Sequence, residues 1–439
     1  MPRVNGRLEQ WNNTPFAIEV DPAVGGDRLV VLGQRTEETI EIFEPEPSAM
    51  HLMHPVVDDA TPWLVTRPGG ALPIPPVLSP PVRDGIRTFN LNIQAGQVAF
   101  EPGRPAQTLG INGPYLGPTL RASQGDTVAF NVLNSMADST TLHWHGMHLP
   151  PTMDGSPHQA IAPGAMWLPQ WTIRQQAATL WYHSHLMGQT RAQVRRGLAS
   201  MFILDDDNPA QVALPHTYGV DDIPLMFQEY VLGGGQTLVN GALTPVFATD
   251  QSRLRLRLLN ASDEQIYTFG FAGNLAFDQV ASDGGLLNAP VRLTRLTLGP
   301  AERAEVVVDL SGGPVALQRF GGNVGGGGRG NGGGGGVGAN AAAATLVTIQ
   351  PSLATAVANV PALPAELNTI GRMDPATVSV TRQMVLGRKD TVQVRPGEIV
   401  PLLMRFTDFA DADTPYMYHC HILQHEDQGM MGQFIVVSA

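Results

Sequence analysis

Cysteine is nearly absent from this chain. Cys420 is the only one in 439 residues, so no internal disulfide can form. Charge is sparse as well, at 15% of residues, and no block of lysine and arginine stands out. With a formal net charge of −12, the chain offers little to a nucleic acid or an anionic membrane surface. No apolar run reaches eighteen residues, which excludes a helical membrane span. The opening Met1 to Gly6 lacks the apolar stretch of a secretory signal, and the sequence assigns neither compartment nor oligomeric state. Long helical patterns are scarce.

Glycine and proline are abundant, at 48 and 36 residues, and the apolar runs between them are short. That combination predicts an all-β chain with many turns, long enough for two or three separate cores. Period-two alternation appears in Arg253-Leu254-Arg255-Leu256-Arg257-Leu258, in Val128-Ala129-Phe130-Asn131-Val132 and in Val392-Gln393-Val394. Each reads as a sandwich strand with one wet face. A turn of similar composition recurs at Ser123-Gln124-Gly125-Asp126, at Leu298-Gly299-Pro300-Ala301-Glu302 and at Arg395-Pro396-Gly397-Glu398. Three copies imply three related sandwiches.

A closer echo pairs Trp181-Tyr182-His183-Ser184-His185-Leu186 with Met417-Tyr418-His419-Cys420-His421-Ile422. In each copy a later glycine, Gly197 or Gly429, precedes a phenylalanine, Phe202 or Phe434, by five residues. Expected boundaries are 71–206 for domain 1, 207–350 for domain 2 and 351–439 for domain 3, with 1–70 as an N-terminal segment. The glycine-dominated tract 321–338 has too few side chains to pack and reads as a surface loop. No Gly-Lys-Ser/Thr follows it, which argues against a phosphate cradle.

Seven of the twelve histidines fall in three clusters: His143-Trp144-His145, His183-Ser184-His185, and His419-Cys420-His421 with His425, followed by Met430. Residues i and i+2 of a strand share a face, so each His-x-His pair can aim two imidazoles at one site. A lone pair of this kind is also explained by half-buried polar residues, but the run of His, Cys, His, His and Met within twelve residues has few such explanations. Imidazoles with one thiolate and one thioether suit copper, and Cys with two His and a weak axial Met is the donor set of a blue-copper site. Cys420 must point away from its two histidine neighbours, so one short strand serves two sites and links them through its backbone.

These motifs, in this order, resemble multicopper oxidases, in particular bacterial laccase and bilirubin-oxidase-like members, over residues 71–439. The resemblance implies three cupredoxin-like Greek-key β-sandwich domains and up to four copper ions. It implies type 1 copper on Cys420, His425 and axial Met430. It also implies type 2 copper on His143 and a type 3 pair on His145, His183, His185, His419 and His421. The expected reaction is one-electron oxidation of a small aromatic donor, coupled to four-electron reduction of dioxygen to water. By motif position Asp154 and Glu426 resemble the family's proton-relay carboxylates.

One family motif, His-Pro-x-His-x-His, is not intact. No histidine lies between Val378 and Val392, where the early part of domain 3 should carry it. Residues 1–70 instead contain His51-Leu52-Met53-His54-Pro55-Val56-Val57-Asp58-Asp59. Aligned on His54-Pro55, the next two ligand positions hold Val57 and Asp59, which keeps only His54, as a type 1 ligand. Starting at His51 saves a second histidine but loses the proline. The N-terminal segment is therefore expected to complete domain 3 by transposition. Two alternatives stand beside the oxidase: a cupredoxin that holds copper with an incomplete trinuclear site, and a sandwich without metal. His421 argues against a copper nitrite reductase, whose cysteine segment lacks it. No Met-rich segment covers the site, which favours an organic donor over cuprous ion.

Overall fold

The computed structural model describes residues 68–233, 235–310, 313–320, 343–352, 362–370, 389–394, 400, 402, 406 and 408–437, and the backbone of 28–32. The protein is all-β and cupredoxin-like, with strands in several sheets and only short helices.

Strands between Val77 and Asp205 form a six-stranded and a five-stranded sheet packed face to face. The strand Thr127–Asn134 alternates half-buried and buried along its whole length, as its sequence requires. Phe89, Phe130, Phe202 and Trp144 fill the space between the sheets, with Phe89 stacked on Phe130 at 4.8 Å between ring centroids. Strands between Asp222 and Pro351 form a second pair of sheets, of seven and five strands, around Phe227, Leu256, Leu258, Phe269 and Val306.

The repeat at the two ends of the chain is structural. Strand Ala178–His183 pairs antiparallel with Ala199–Asp205, and strand Asp411–His419 pairs with Met431–Val437. In the first pair Leu180 faces Phe202 and His183 faces Ala199; in the second Tyr416 faces Phe434 and His419 faces Met431. The two registers are thus the same. A short helix, Thr190–Arg195 or Leu423–Asp427, fills each connection. Gly197 and Gly429 end these connections with φ of +120° and +89°, a region that favours glycine.

Two alternating segments depart from expectation. Arg255 and Arg257 lie on strand Arg253–Asn260, but the face expected to be wet is buried. It packs toward the first sandwich, where Arg257 forks onto Asp222 at 2.7 and 2.8 Å and reaches Glu305 at 2.9 Å. Thr179 of the first sandwich joins the same network, accepting from Arg257 at 2.7 Å and donating to Glu305 at 2.6 Å. Val392-Gln393-Val394 forms no strand. Side-chain bonds from Lys389, Asp390 and Gln393 to the second sandwich hold this segment instead of a sheet ladder.

Residues 28–32 lie against the C-terminal sheet. Strand Arg28–Leu32 pairs antiparallel with Met431–Val437, from Arg28 opposite Val437 to Leu32 opposite Gln433. His51, His54, the turn at Arg395 and the tract 321–338 lie outside the described residues.

Candidate metal centre

Three strands bring six imidazoles together. His143–His145 and Ala178–His183 are neighbours in one sheet, with His143 opposite His183 and His145 opposite Trp181. In His143-Trp144-His145 the alternation sends Trp144 into the core, with its ring 4.2 Å from Phe130, and both histidines to the other face. Strand Asp411–His419 delivers His419 and then His421 to the same place. His421 lies 5.0 Å from His145 and 5.3 Å from His183 between ring centroids, and His185 lies 5.1 Å from His143.

The hydrogen bonds assign a tautomer to most of these rings. His143 Nδ1 donates to the Asp154 carbonyl at 2.8 Å, and His183 Nδ1 to the Ser184 carbonyl at 2.8 Å. His419 Nδ1 donates to the Cys420 carbonyl at 3.3 Å, and the two oxygens of the fully buried Glu426 lie 3.2 Å from His185 Nδ1 and 3.1 Å from His419 Nδ1, at ion-pair distance without hydrogen-bond geometry. Each of these rings keeps the lone pair on Nε2 for another use. His185 and His419 aim those lone pairs at each other, Nε2 to Nε2 at 3.1 Å. His183 Nε2 faces His145 Nδ1 at 3.4 Å. Both ring nitrogens of His421 are buried without a partner. Facing lone pairs and orphaned nitrogens are costly in a dry site unless a cation lies among them.

The donor atoms of His143, His145 and His183 lie within 4.8 Å of one another, and so do those of His185, His419 and Glu426. The two Glu426 oxygens, however, face the Nδ1 atoms, away from the facing Nε2 pair. Glu426 therefore orients the ligands and is not itself a ligand, as metal-site carboxylates commonly do.

Electrostatics favour neutral imidazoles at His145, His183, His185 and His421. Burial pushes His145 down to about 4 and His185 to about 3, although the nearby carboxylates of Asp390 and Glu426 act the other way. Burial also takes His183 and His421 well below the ordinary histidine range. Burial opposes a charge on Glu426, but His185 and His419 outweigh it and keep the carboxyl below its usual range. At His143 burial is likewise outweighed, here by Asp154, and the pKa rises. Asp154 moves down in return, against its own burial, because of the His143 charge. Gly155 follows with φ +72°, where a Cβ would collide with the Leu142 carbonyl.

The second part of the site starts from Cys420. Its Sγ lies 3.8 Å from His425 Nδ1, on the helix Leu423–Asp427. Backbone bonds from Met430 N to the His425 carbonyl, 2.9 Å, and from Cys420 N to the Met430 carbonyl, 3.0 Å, close the loop that brings Met430 beside them. Burial raises the Cys420 thiol above its usual pKa. His54 lies outside the described residues.

Sequence reading missed Asp390 and Thr391. Asp390 Oδ1 and Thr391 Oγ1 each lie 3.2 Å from His145 Nε2, and no pattern in Arg388-Lys389-Asp390-Thr391 marks them. His148, His158 and His216 stand apart from the cluster, bonded to Asp408, Gln433 and the Leu214 carbonyl.

The fold and this donor set define a copper protein assembled from cupredoxin-like sandwiches. Two family profiles, each described as multicopper oxidase, match residues 92–209 and 368–439. Multicopper oxidase mco of Staphylococcus aureus is 30% identical over 414 residues, 82% of this chain and 91% of that protein. Cell division protein FtsP of Rahnella sp. is 40% identical over 259 residues, 55% of this chain and 54% of that one. The solved structure of the laccase-like multicopper oxidase CueO from an Ochrobactrum species superposes with a TM-score of 0.70 at 29% identity, covering 83% of this chain and all of that one. McoA of Aquifex aeolicus, at 22% identity and a TM-score of 0.71, shares the fold. The chain belongs to the multicopper oxidase family.

Proposed function

We propose that this protein is a laccase-like oxidase that takes single electrons from phenolic or other aromatic donors and reduces dioxygen to water. The observation that carries this reading is the pair of facing imidazole nitrogens on His185 and His419, clamped from behind by Glu426. Type 1 copper would be held by Cys420, His425 and Met430, with His54 as a further ligand from the N-terminal segment. The cluster copper would be held by His143, His145, His183, His185, His419 and His421. Copper there supplies one-electron transfer from the donor and the multi-electron chemistry of dioxygen. The chain's own contribution is to keep four of the imidazoles neutral by burial, to exclude water, and to place Asp154 and Glu426 beside the cluster, where they would carry protons.

The pairing of residues 28–32 with the last strand supports the reading that the N-terminal segment completes domain 3. A second reading, a cupredoxin that binds copper without reducing dioxygen, is favoured by the segment beside His145. There Asp390 and Thr391 follow a stretch from Val378 that carries no histidine. Similarity to a protein named for cell division points the same way. The deciding experiment is copper per chain after reconstitution, read with the visible spectrum and oxygen uptake on a phenolic donor. Close to four coppers with uptake supports the oxidase; one blue copper without uptake supports the cupredoxin.

A further inference from the structure

Residues of both sandwiches and of the C-terminal segment meet at Asp263, which follows strand Arg253–Asn260 and is 2% exposed. Its carbonyl accepts from Leu423 N at 2.9 Å, at the start of helix Leu423–Asp427. Its carboxylate Oδ2 accepts from Arg191 Nε and lies 3.5 Å from Arg195, both on helix Thr190–Arg195. Asp427 closes the ring, because its two oxygens accept from Thr190 N at 2.9 Å and from Arg191 N at 3.0 Å. Arg191 also reaches Gln424 at 3.2 Å and Glu264 at 3.7 Å. One residue of the second sandwich thus holds both short helices, and with them the segment that carries His425 and Glu426.

A second acid stands behind Asp263. Glu229 ends strand Asp222–Glu229, and its Oε2 accepts from Asp263 N at 2.9 Å. The two carboxyl groups are also in hydrogen-bond contact with each other. Two ionised carboxylates cannot make that bond, and Glu229 Oε1 and Asp263 Oδ1 would then be buried acceptors without a donor. The arginines bind Asp263 as the carboxylate, which leaves Glu229 to hold the proton. Burial, and then the Asp263 charge, act in the same direction on Glu229. Tyr115 of the first sandwich and Tyr267 of the second also face Glu229, and burial raises both phenols, so they stay neutral. We propose that Glu229 and Asp263 share one proton and act as a latch on helix Leu423–Asp427. With the proton in place the pair is bonded and the helix is held. When the proton leaves to solvent, the two carboxylates repel, and the Asp263 carbonyl is drawn away from Leu423. The latch needs no metal; its effect on the metal centre, through the helix that carries His425, rests on the copper reading above.

The test uses the full-length chain without metal, so that no ion holds the helix. In protein carrying carboxyl-13C glutamate, infrared spectra should show a protonated glutamate at neutral pH that titrates away as pH rises through about 8 and is missing from E229Q. Hydrogen exchange at the Leu423 amide, corrected for its intrinsic rate, should lose protection about 10-fold between about pH 6 and about pH 9, because the upper value lies about one unit past the Glu229 midpoint. E229Q keeps an N–H donor toward Asp263 and should hold its protection throughout. A parent with no protonated glutamate at neutral pH overturns the proposal even if E229Q does not fold. So does a parent whose Leu423 protection is the same at both pH values, or an E229Q protein that loses protection as the parent does.

Discussion

His185 and His419 meet Nε2 to Nε2 at 3.1 Å, although they lie 234 residues apart in the chain, and one buried carboxylate, Glu426, lies on the far side of both rings. A glutamine at 426 has one accepting oxygen where the glutamate has two, so one imidazole loses its partner. E426Q should therefore lose cluster copper to a chelator about 10–100-fold faster than the parent, with the type 1 colour retained. Parallel absorbance and copper assays separate the two sites.

Cys420 and the flanking His419 and His421 divide one strand end between two sites. C420S should abolish the intense blue absorption expected of a thiolate–copper bond while leaving copper bound at the histidine cluster. Copper analysis with visible and electron paramagnetic resonance spectra checks this; a fully blue C420S protein would refute the type 1 assignment.

Removing residues 1–33 takes away the strand paired with Met431–Val437 and bares that edge. The truncated protein should melt at a lower temperature and associate at concentrations where the parent does not, as read by calorimetry and light scattering. An unchanged melting temperature would show that the pairing contributes nothing to the C-terminal sheet.

Arg257, Asp222 and Glu305 are buried and mutually bonded, with Arg255 also bonded to Glu305. The two arginines pull Glu305 down to about 2 despite its burial. R257M leaves two carboxylates short of a partner and should cost about 3–5 kcal/mol in urea unfolding. A loss under about 1 kcal/mol would mean that the site rehydrates.

Glu229 gives a pH signature of its own. Burial, and then the Asp263 charge, raise its carboxyl from 4.5 to about 8. Between those values the folded chain holds a proton that the unfolded chain has released. The stability from this group is therefore complete below about pH 4.5 and is lost as pH rises toward 8. E229Q keeps an oxygen for the Asp263 amide, which now bonds Glu229 at 2.9 Å, and should flatten that decline in the metal-free protein. Melting temperatures across pH 4.5–8 decide it: parallel curves for parent and variant would contradict the shift.

Much of this architecture was legible in the residues. The period-two runs, the turn residues and the internal echo predict paired strands, and the echo holds to the register, with Phe202 and Phe434 at equivalent positions. The His-x-His pairs were legible for the same reason: alternation along a strand puts both rings on one face, and Trp144 on the other. Arg255 and Arg257 were misread because alternation says which residues share a face, while what covers that face depends on a second sandwich far away in sequence.

Local chemistry in the sequence therefore determined the strands, their turns, the donor types and the choice of copper. Only the tertiary structure decided that Glu426 would bridge two histidines, that Arg303 would carry Asp390 to His145, and which residues of the N-terminal segment, expected against the last domain, would pair with its final strand. Each of these joins residues hundreds of positions apart or from different sheets. Periodicity acts over a few residues, whereas a buried charge takes whichever partner the packed sandwiches bring within reach.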